Sequence, residues 1–279
     1  MIKILLAGTP EFAVPIFEEI IKHFDVVGIV SQPDRASQRG RKSIFTPTKN
    51  LALKHNIKLF QPEKIVQIYD ELIALQYDYL VTVAFGQFIP TKILNIAKKM
   101  NVNVHGSLLP KYRGAAPVQY SVLNGDKKTG ISIMEMVKEM DAGDVFVQAE
   151  VEISDDDTSL SVFNKLQSIT VKNIVNWITL LDKGVLKRQK QDESQVSLSP
   201  KLEKSDGEII SSMNVDYALR VIKAFNPNPI AFSYINQKRV KIFFASKKWV
   251  KNAPTLELKD GVLYLIDYQF DSKKRVILQ

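Results

Sequence analysis

The 279-residue chain contains no cysteine. That absence excludes a thiol nucleophile, a disulfide framework and any cysteine-ligated zinc or iron–sulfur site. Histidine is scarce, with three copies at His23, His55 and His105. Their positions show no ligand spacing, so no metal is expected. No apolar run approaches the roughly 20 residues that a membrane helix needs. The start, Met1-Ile2-Lys3-Ile4-Leu5-Leu6-Ala7-Gly8, is interrupted too early for a signal peptide. A soluble cytoplasmic protein with no membrane contact is the expectation. The Gly-x-Gly-x-x-Gly fingerprint of dinucleotide enzymes is also missing. Gly8-Thr9-Pro10 follows the first strand-like run, and Pro10 removes a backbone donor that would cradle a pyrophosphate. Nicotinamide and flavin chemistry are therefore disfavoured.

What is present is an ordinary globular composition, 45% hydrophobic and 24% charged, with a formal net charge of +8. The excess is uneven. From Pro200 onward fourteen Lys and Arg face eight Asp and Glu, a surplus of six. A basic final third favours a polyanionic partner, nucleic acid first.

Strand and helix signals alternate along the first two thirds. Residues 1–7 and 25–31 read as buried strands around a helix at 11–24, with Phe12, Ile16, Ile20 and Ile21 on one side. Residues 78–84 form another β-branched run, followed by a helix at 91–100 and a strand ending near His105. Turn-and-strand signals at 125–136 and 144–153 precede a long amphipathic helix at 158–184. This order predicts an α/β fold with a Rossmann-like sheet of parallel strands. Residues 188–203 are polar and charged, contain Pro200, and read as a linker. The expected organisation is a catalytic domain at 1–187, a linker at 188–203 and a small, mostly β domain at 204–279. In the last, Asn214 caps a helix that stops at Asn226-Pro227-Asn228-Pro229, and 231–244 and 261–269 alternate like strands.

The stretch Asn103-Val104-His105-Gly106-Ser107-Leu108-Leu109-Pro110 carries the strongest chemical signal. Strand residues two apart share a face, so the Asn103 amide and the His105 imidazole point into one space. Gly106 and Pro110 then turn the chain. Met140-Asp141-Ala142-Gly143-Asp144 is a loop-like carboxylate cluster able to face the same space. Amide, imidazole and carboxylate suit acyl transfer: stabilise an oxyanion, move a proton, hold the imidazole. His23 and His55 sit at helix ends, where a cation suits the dipole, and are read as structural. Residues 34–49 carry Arg35, Arg39, Arg41, Lys42 and Lys49 around Gly40, a basic loop suited to phosphate contacts.

Several segments together resemble the methionyl-tRNA formyltransferase family. They are 7–13 (AGTPEFA), 31–35 (SQPDR), 83–86 (VAFG), 103–117 (NVHGSLLPKYRGAAP), 140–144 (MDAGD) and 224–227 (AFNP). The Asn-x-His…Asp set is shared by formyltransferases that use 10-formyltetrahydrofolate, so by itself it leaves the acceptor open. The main rival is transfer to a small amine, a ribonucleotide or an amino sugar. The basic loop and the Ala-Phe-Asn-Pro helix end favour the tRNA branch. The resemblance implies catalytic roles for Asn103, His105 and Asp141, and formyl transfer from 10-formyltetrahydrofolate to initiator methionyl-tRNA by a monomer. It implies a folate site at Ala84, Phe85, Gly86, Phe88, Ile89 and Pro90, with Ser107, Leu108, Leu109, Pro110 and Asp144. It also implies tRNA contacts from Arg35, Arg39, Arg41 and Lys42 and an OB-type C-terminal domain. Ala36-Ser37-Gln38 replaces a stiffer family loop, and the C-terminal domain is expected to be short.

Overall fold

The computed structural model describes residues 1–36 and 43–278. Its centre is a seven-stranded sheet. Across it the strands run Val145–Glu152, Lys128–Glu135, Met100–His105, Tyr79–Val83, Lys3–Gly8, Asp25–Val30 and Leu59–Phe60. Lys3–Gly8 lies mid-sheet, parallel to both Asp25–Val30 and Tyr79–Val83. Its Ile4, Leu5, Leu6 and Ala7 are all fully buried, as a strand covered on both faces requires. The helix Ala13–His23 buries Ala13, Ile16, Phe17 and Ile20, spaced along one face of a 3.6-residue period. The helix Ser159–Asp182 spans 24 residues, and Gly184 beyond it takes a left-handed φ of 67°.

Three expectations change. The expected parallel sheet holds from Leu59–Phe60 across to Met100–His105 and becomes antiparallel where Lys128–Glu135 pairs with Met100–His105. The helix expected at 91–100 is a single turn, Thr91–Leu94. Its continuation instead pairs with the residues leading into Tyr79–Val83: Lys98 N–H donates to the Tyr77 carbonyl and Lys99 N–H to that of Asp78. The basic segment at 34–49 does not stay irregular to its end. Thr46 caps a helix, Pro47–Lys54, with proline in its first turn. Lys49 on that helix pairs with Asp34.

Contacts divide the chain into two compact units that interleave in sequence. One comprises 1–113, 130–150 and 164–197; the other comprises 114–129, 151–163 and 198–279. The first therefore includes most of the polar stretch read as a linker. The second contains an antiparallel sheet in the order Ala231–Ile235, Lys238–Ser246, Gly261–Phe270 and Thr255–Leu258, with Val276–Ile277 also on Gly261–Phe270. Asn236 and Gln237 turn its first hairpin with φ of 47° and 62°, the positive values a two-residue hairpin loop demands. The helix Val215–Ala224 is capped as expected, with Asn214 Oδ1 accepting from Tyr217 N–H at 2.8 Å.

Candidate active site

The strand Met100–His105 delivers Asn103 and His105 to the carboxyl end of the sheet, beside the end of Tyr79–Val83. Thr82 lies opposite Asn103 in the register, and its hydroxyl donates to Asn103 Oδ1 at 2.7 Å. That bond sets the amide orientation and leaves the NH2 group as the donor turned elsewhere.

His105 is buried, 5% exposed. Its Nε2 lies 2.9 Å from the Tyr112 carbonyl oxygen. A carbonyl only accepts, so Nε2 carries the hydrogen. Nδ1 is then the ring atom that faces Asp141, whose Oδ2 lies 3.7 Å away. This separation is too long for a hydrogen bond. The Tyr112 backbone, not the carboxylate, therefore orients the imidazole, which differs from the role expected of Asp141. In the neutral ring Nδ1 presents a lone pair beside the carboxylate.

The turn after His105 is fixed by one hydroxyl. Ser132 Oγ donates to the Ser107 carbonyl at 2.6 Å and accepts from Leu109 N–H at 3.1 Å and Gln148 Nε2 at 2.9 Å. The Asp141 loop is fixed as tightly. Asp141 takes a left-handed φ of 53°. A Cβ on Gly143 would lie 2.0 Å from the Glu135 carbonyl oxygen, so only glycine fits there. The Gln191 side chain donates to the carbonyls of Asp141 and Gly143, both at 2.8 Å.

The segment at 84–90 leaves the neighbouring strand. Thr9 Oγ1 and Gln32 Nε2 both donate to the Phe85 carbonyl, at 3.1 and 3.2 Å, tying three strand ends together. Ala84 and Gly86 are exposed and carry φ of 48° and 79°. Phe85 and Ile89 turn into a core cluster with Leu5, Ala7, Val30 and Phe60. Phe88 is 66% exposed, and Pro90 is half-buried. Ser107 is buried, with its hydroxyl on the Lys111 carbonyl, and Leu109 packs with Met134 and Val145. Leu108, Pro110 and Asp144 are half-buried. Arg35 is exposed. Arg39, Arg41 and Lys42 lie outside the described residues.

The structure thus brings Asn103, His105 and Asp141 together with Thr82, Tyr112, Arg113 and Gln191, which the sequence alone does not single out. The formyl transferase family matches residues 2–178, and its C-terminal domain matches 201–277. A methionyl-tRNA formyltransferase of Mycoplasmopsis pulmonis is 47% identical over 99% of this chain and 96% of its own length. The chain belongs to the methionyl-tRNA formyltransferase family. The solved methionyl-tRNA formyltransferase of Clostridium thermocellum shares the fold, with a TM-score of 0.64 at 18% identity over 97% of this chain and 99% of that one. So does Aquifex aeolicus HypX in complex with tetrahydrofolic acid, with a TM-score of 0.67 at 14% identity. There the match covers 99% of this chain and 45% of HypX, so this chain spans under half of that protein. Within the family fold, the Asn103–His105–Asp141 group stands at the strand ends that an open α/β sheet uses for ligands. No helix among the described residues is long and apolar enough to cross a membrane.

Proposed function

We propose that this chain transfers the formyl group of 10-formyltetrahydrofolate to the amino group of initiator methionyl-tRNA, as a cytoplasmic monomer that needs no metal. The observation that carries the reading is the near-full-length identity of 47% to a methionyl-tRNA formyltransferase, in a chain whose amide, imidazole and carboxylate converge at one strand end. In this reading residues 1–187 hold the reaction together with the first part of 188–203, which packs in the same unit, and 204–279 grip the tRNA with their basic surplus.

The loop at 84–90 fits a flat heterocycle. Exposed backbone at Ala84 and Gly86 offers polar groups, and the exposed Phe88 ring offers a stacking face. Phe85 and Ile89 support that loop from the core, and Leu108, Pro110 and Asp144 offer further surface. When bound, the folate supplies the formyl carbonyl that the methionyl amine attacks. Asn103 Nδ2–H donates to the oxygen as it gains negative charge. His105 Nδ1 and the Asp141 carboxylate face each other, so either can take the proton the amine releases and return it to the folate nitrogen as that nitrogen's bond to the formyl carbon breaks. The imidazolium formed at Nδ1 is stabilised by the neighbouring Asp141. The Tyr112 carbonyl holds Nε2–H throughout, so the ring does not turn during transfer.

The test is incubation with 10-formyltetrahydrofolate and charged initiator or elongator methionyl-tRNA, followed by detection of formyl-methionine. The expected result is product on the initiator tRNA, unchanged by a chelator and lost in His105→Ala. Formylation of a small ribonucleotide or amino sugar in preference to tRNA would move the chain to the rival acceptor.

A further inference from the structure

The structure assigns Gln191 a role no motif suggests: it is a positioning residue that sets the distance between the Asp141 carboxylate and the His105 imidazole. This inference rests on the formyl-transfer reading for its kinetic consequence, and on geometry alone for its structural one.

Gln191 is 6% exposed and every polar hydrogen of its side chain is spent. Both Nε2 hydrogens go to the Asp141 loop, one to each carbonyl at 2.8 Å. Its Oε1 accepts from Arg113 Nε–H at 2.9 Å. This orientation of the amide is compelled. Arg113 can only donate and the two carbonyls can only accept, so a flipped amide would set donor against donor and acceptor against acceptors. Arg113 is itself buried and forks onto Glu193 through Nη1 and Nη2, at 3.3 and 2.8 Å.

The same short segment reaches the histidine from the other side. Tyr112, whose carbonyl orients His105, donates its N–H to Ser197 Oγ at 3.0 Å, and Arg113 N–H donates to the Ser197 carbonyl at 2.9 Å. Gln189 adds a backbone pair with Val145, just beyond the carboxylate loop. Residues 189–197 therefore tie together two segments that approach the site separately. One presents Asp141, and the other presents the acceptor that aims His105. Gln191 is the piece bonded to both. Asp141 also sits in a left-handed conformation, which aspartate tolerates better than most residues but less well than glycine, and the Gln191 bonds help to hold it there.

The test uses the full chain. Gln191→Met keeps the side-chain volume and removes all three hydrogen bonds. Gln191→Glu keeps shape and the Arg113 contact but sets a carboxylate against two carbonyls. Each is expected to lower kcat about ten- to hundred-fold, the scale of a misplaced catalytic group, with the KM for methionyl-tRNA and for the folate little changed. In an Asp141→Asn background the same substitutions should add almost nothing, because residues acting through one another are non-additive. The second readout is independent of activity. The ring resonances of His105, one of only three histidines, should move in Gln191→Met in the same sense as in Asp141→Asn. Kinetic losses that add in the double variant, or His105 resonances that stay at their wild-type positions in folded variants, overturn the assignment. A wild-type chain that forms no formyl-methionine would refute the proposed function, while the resonances would still decide the clamp.

Discussion

Replacing Asn103 by aspartate separates its two jobs. The side chain accepts from Thr82 through Oδ1, and in the proposed mechanism it offers its NH2 to the reacting oxygen. Aspartate keeps the acceptor and converts the donor into an anion. Stability should therefore stay near wild type. Loss of one preorganised oxyanion donor costs about 10²–10³ in kcat, or roughly 2.7–4 kcal/mol. Asn103→Asp should fall beyond that range, because its carboxylate repels the developing charge, and Asn103→Ala should fall within it. Alanine also takes the 2.7 Å acceptor from the Thr82 hydroxyl and leaves it the longer contacts to the Val102 carbonyl and the Met136 sulfur, at a cost of up to about 1 kcal/mol, which for a chain of this size lowers Tm by up to roughly 2–4 °C. Thr82→Val gives the mirror image. It should show the same small loss of stability, but a kcat loss of only about five-fold, since 1 kcal/mol of orientational bias is all it removes. The assay is single-turnover formylation of initiator methionyl-tRNA alongside thermal melts. If folded Asn103→Asp and Asn103→Ala both stay within about ten-fold of wild type, Asn103 is not the oxyanion donor and the site has been misread.

Gly143→Ala should lose both stability and kcat, because its Cβ would press on the Glu135 carbonyl at 2.0 Å and displace the Asp141 loop; an alanine variant with normal melting and turnover would refute this. The Lys99 ammonium, hydrogen-bonded to Asp182, holds that carboxyl below its usual range, with the Tyr79 hydroxyl assisting. A depressed carboxylate stabilises the fold above its unfolded pKa near 4, and the gain disappears as pH falls through the folded value. Asp182→Asn should therefore cost up to about 1 kcal/mol at pH 7, a partly solvated pair being worth little more, and almost nothing in denaturant melts at the acid end; an equal cost at both pH values would show the charge is irrelevant. An Arg39→Ala, Arg41→Ala, Lys42→Ala variant should weaken use of methionyl-tRNA far more than folate binding. It should also reduce the salt dependence of tRNA affinity, by about 0.9 in log–log slope for each duplex phosphate no longer neutralised. Wild-type tRNA kinetics and slope in that variant would make the loop a solvated surface.

The legible part of the site is the part that follows strand periodicity. Asn103 and His105 are two residues apart on one strand, and two is the period of a strand, so their convergence needs no tertiary information. Asp141 is legible as a loop carboxylate, but its distance to His105 is not. The true orienter of the imidazole is a main-chain carbonyl, at Tyr112, and every residue has one of those. Gln191 is hidden by composition: a stretch rich in Gln, Ser and Lys resembles a solvated connection. Buried beside Arg113, however, its amide uses both donor hydrogens and its oxygen accepts, so burial costs it little. The short helix Pro47–Lys54 does carry its signal, Thr46 followed by proline, but the surrounding basic residues outweigh it. The strand Lys128–Glu135 is legible but its antiparallel direction is not, because it is buried on both faces and gives the continuous pattern of a parallel strand.

The missing dinucleotide fingerprint has a physical counterpart in how the first strand ends. Chain order reverses across Lys3–Gly8: the chain first builds outward through Asp25–Val30 and then returns to Tyr79–Val83 on the other side. In open α/β sheets that switch is where ligands bind. Here its first exit is closed. A Cβ on Gly8 would lie 2.6 Å from the Val83 carbonyl oxygen, and Thr9 and Gln32 spend their donors on the Phe85 carbonyl. A pyrophosphate needs free backbone donors at that turn, and the turn's side chains are occupied in holding the 84–90 loop. In the proposed reading the chemistry sits two strands over, past Tyr79–Val83, where Asn103 and His105 emerge with Thr82 beside them. The loop tied across the first exit also carries the exposed Ala84, Gly86 and Phe88. The hydrogen bonds at Phe85 thus occupy the turn at which a nucleotide cradle would need free donors.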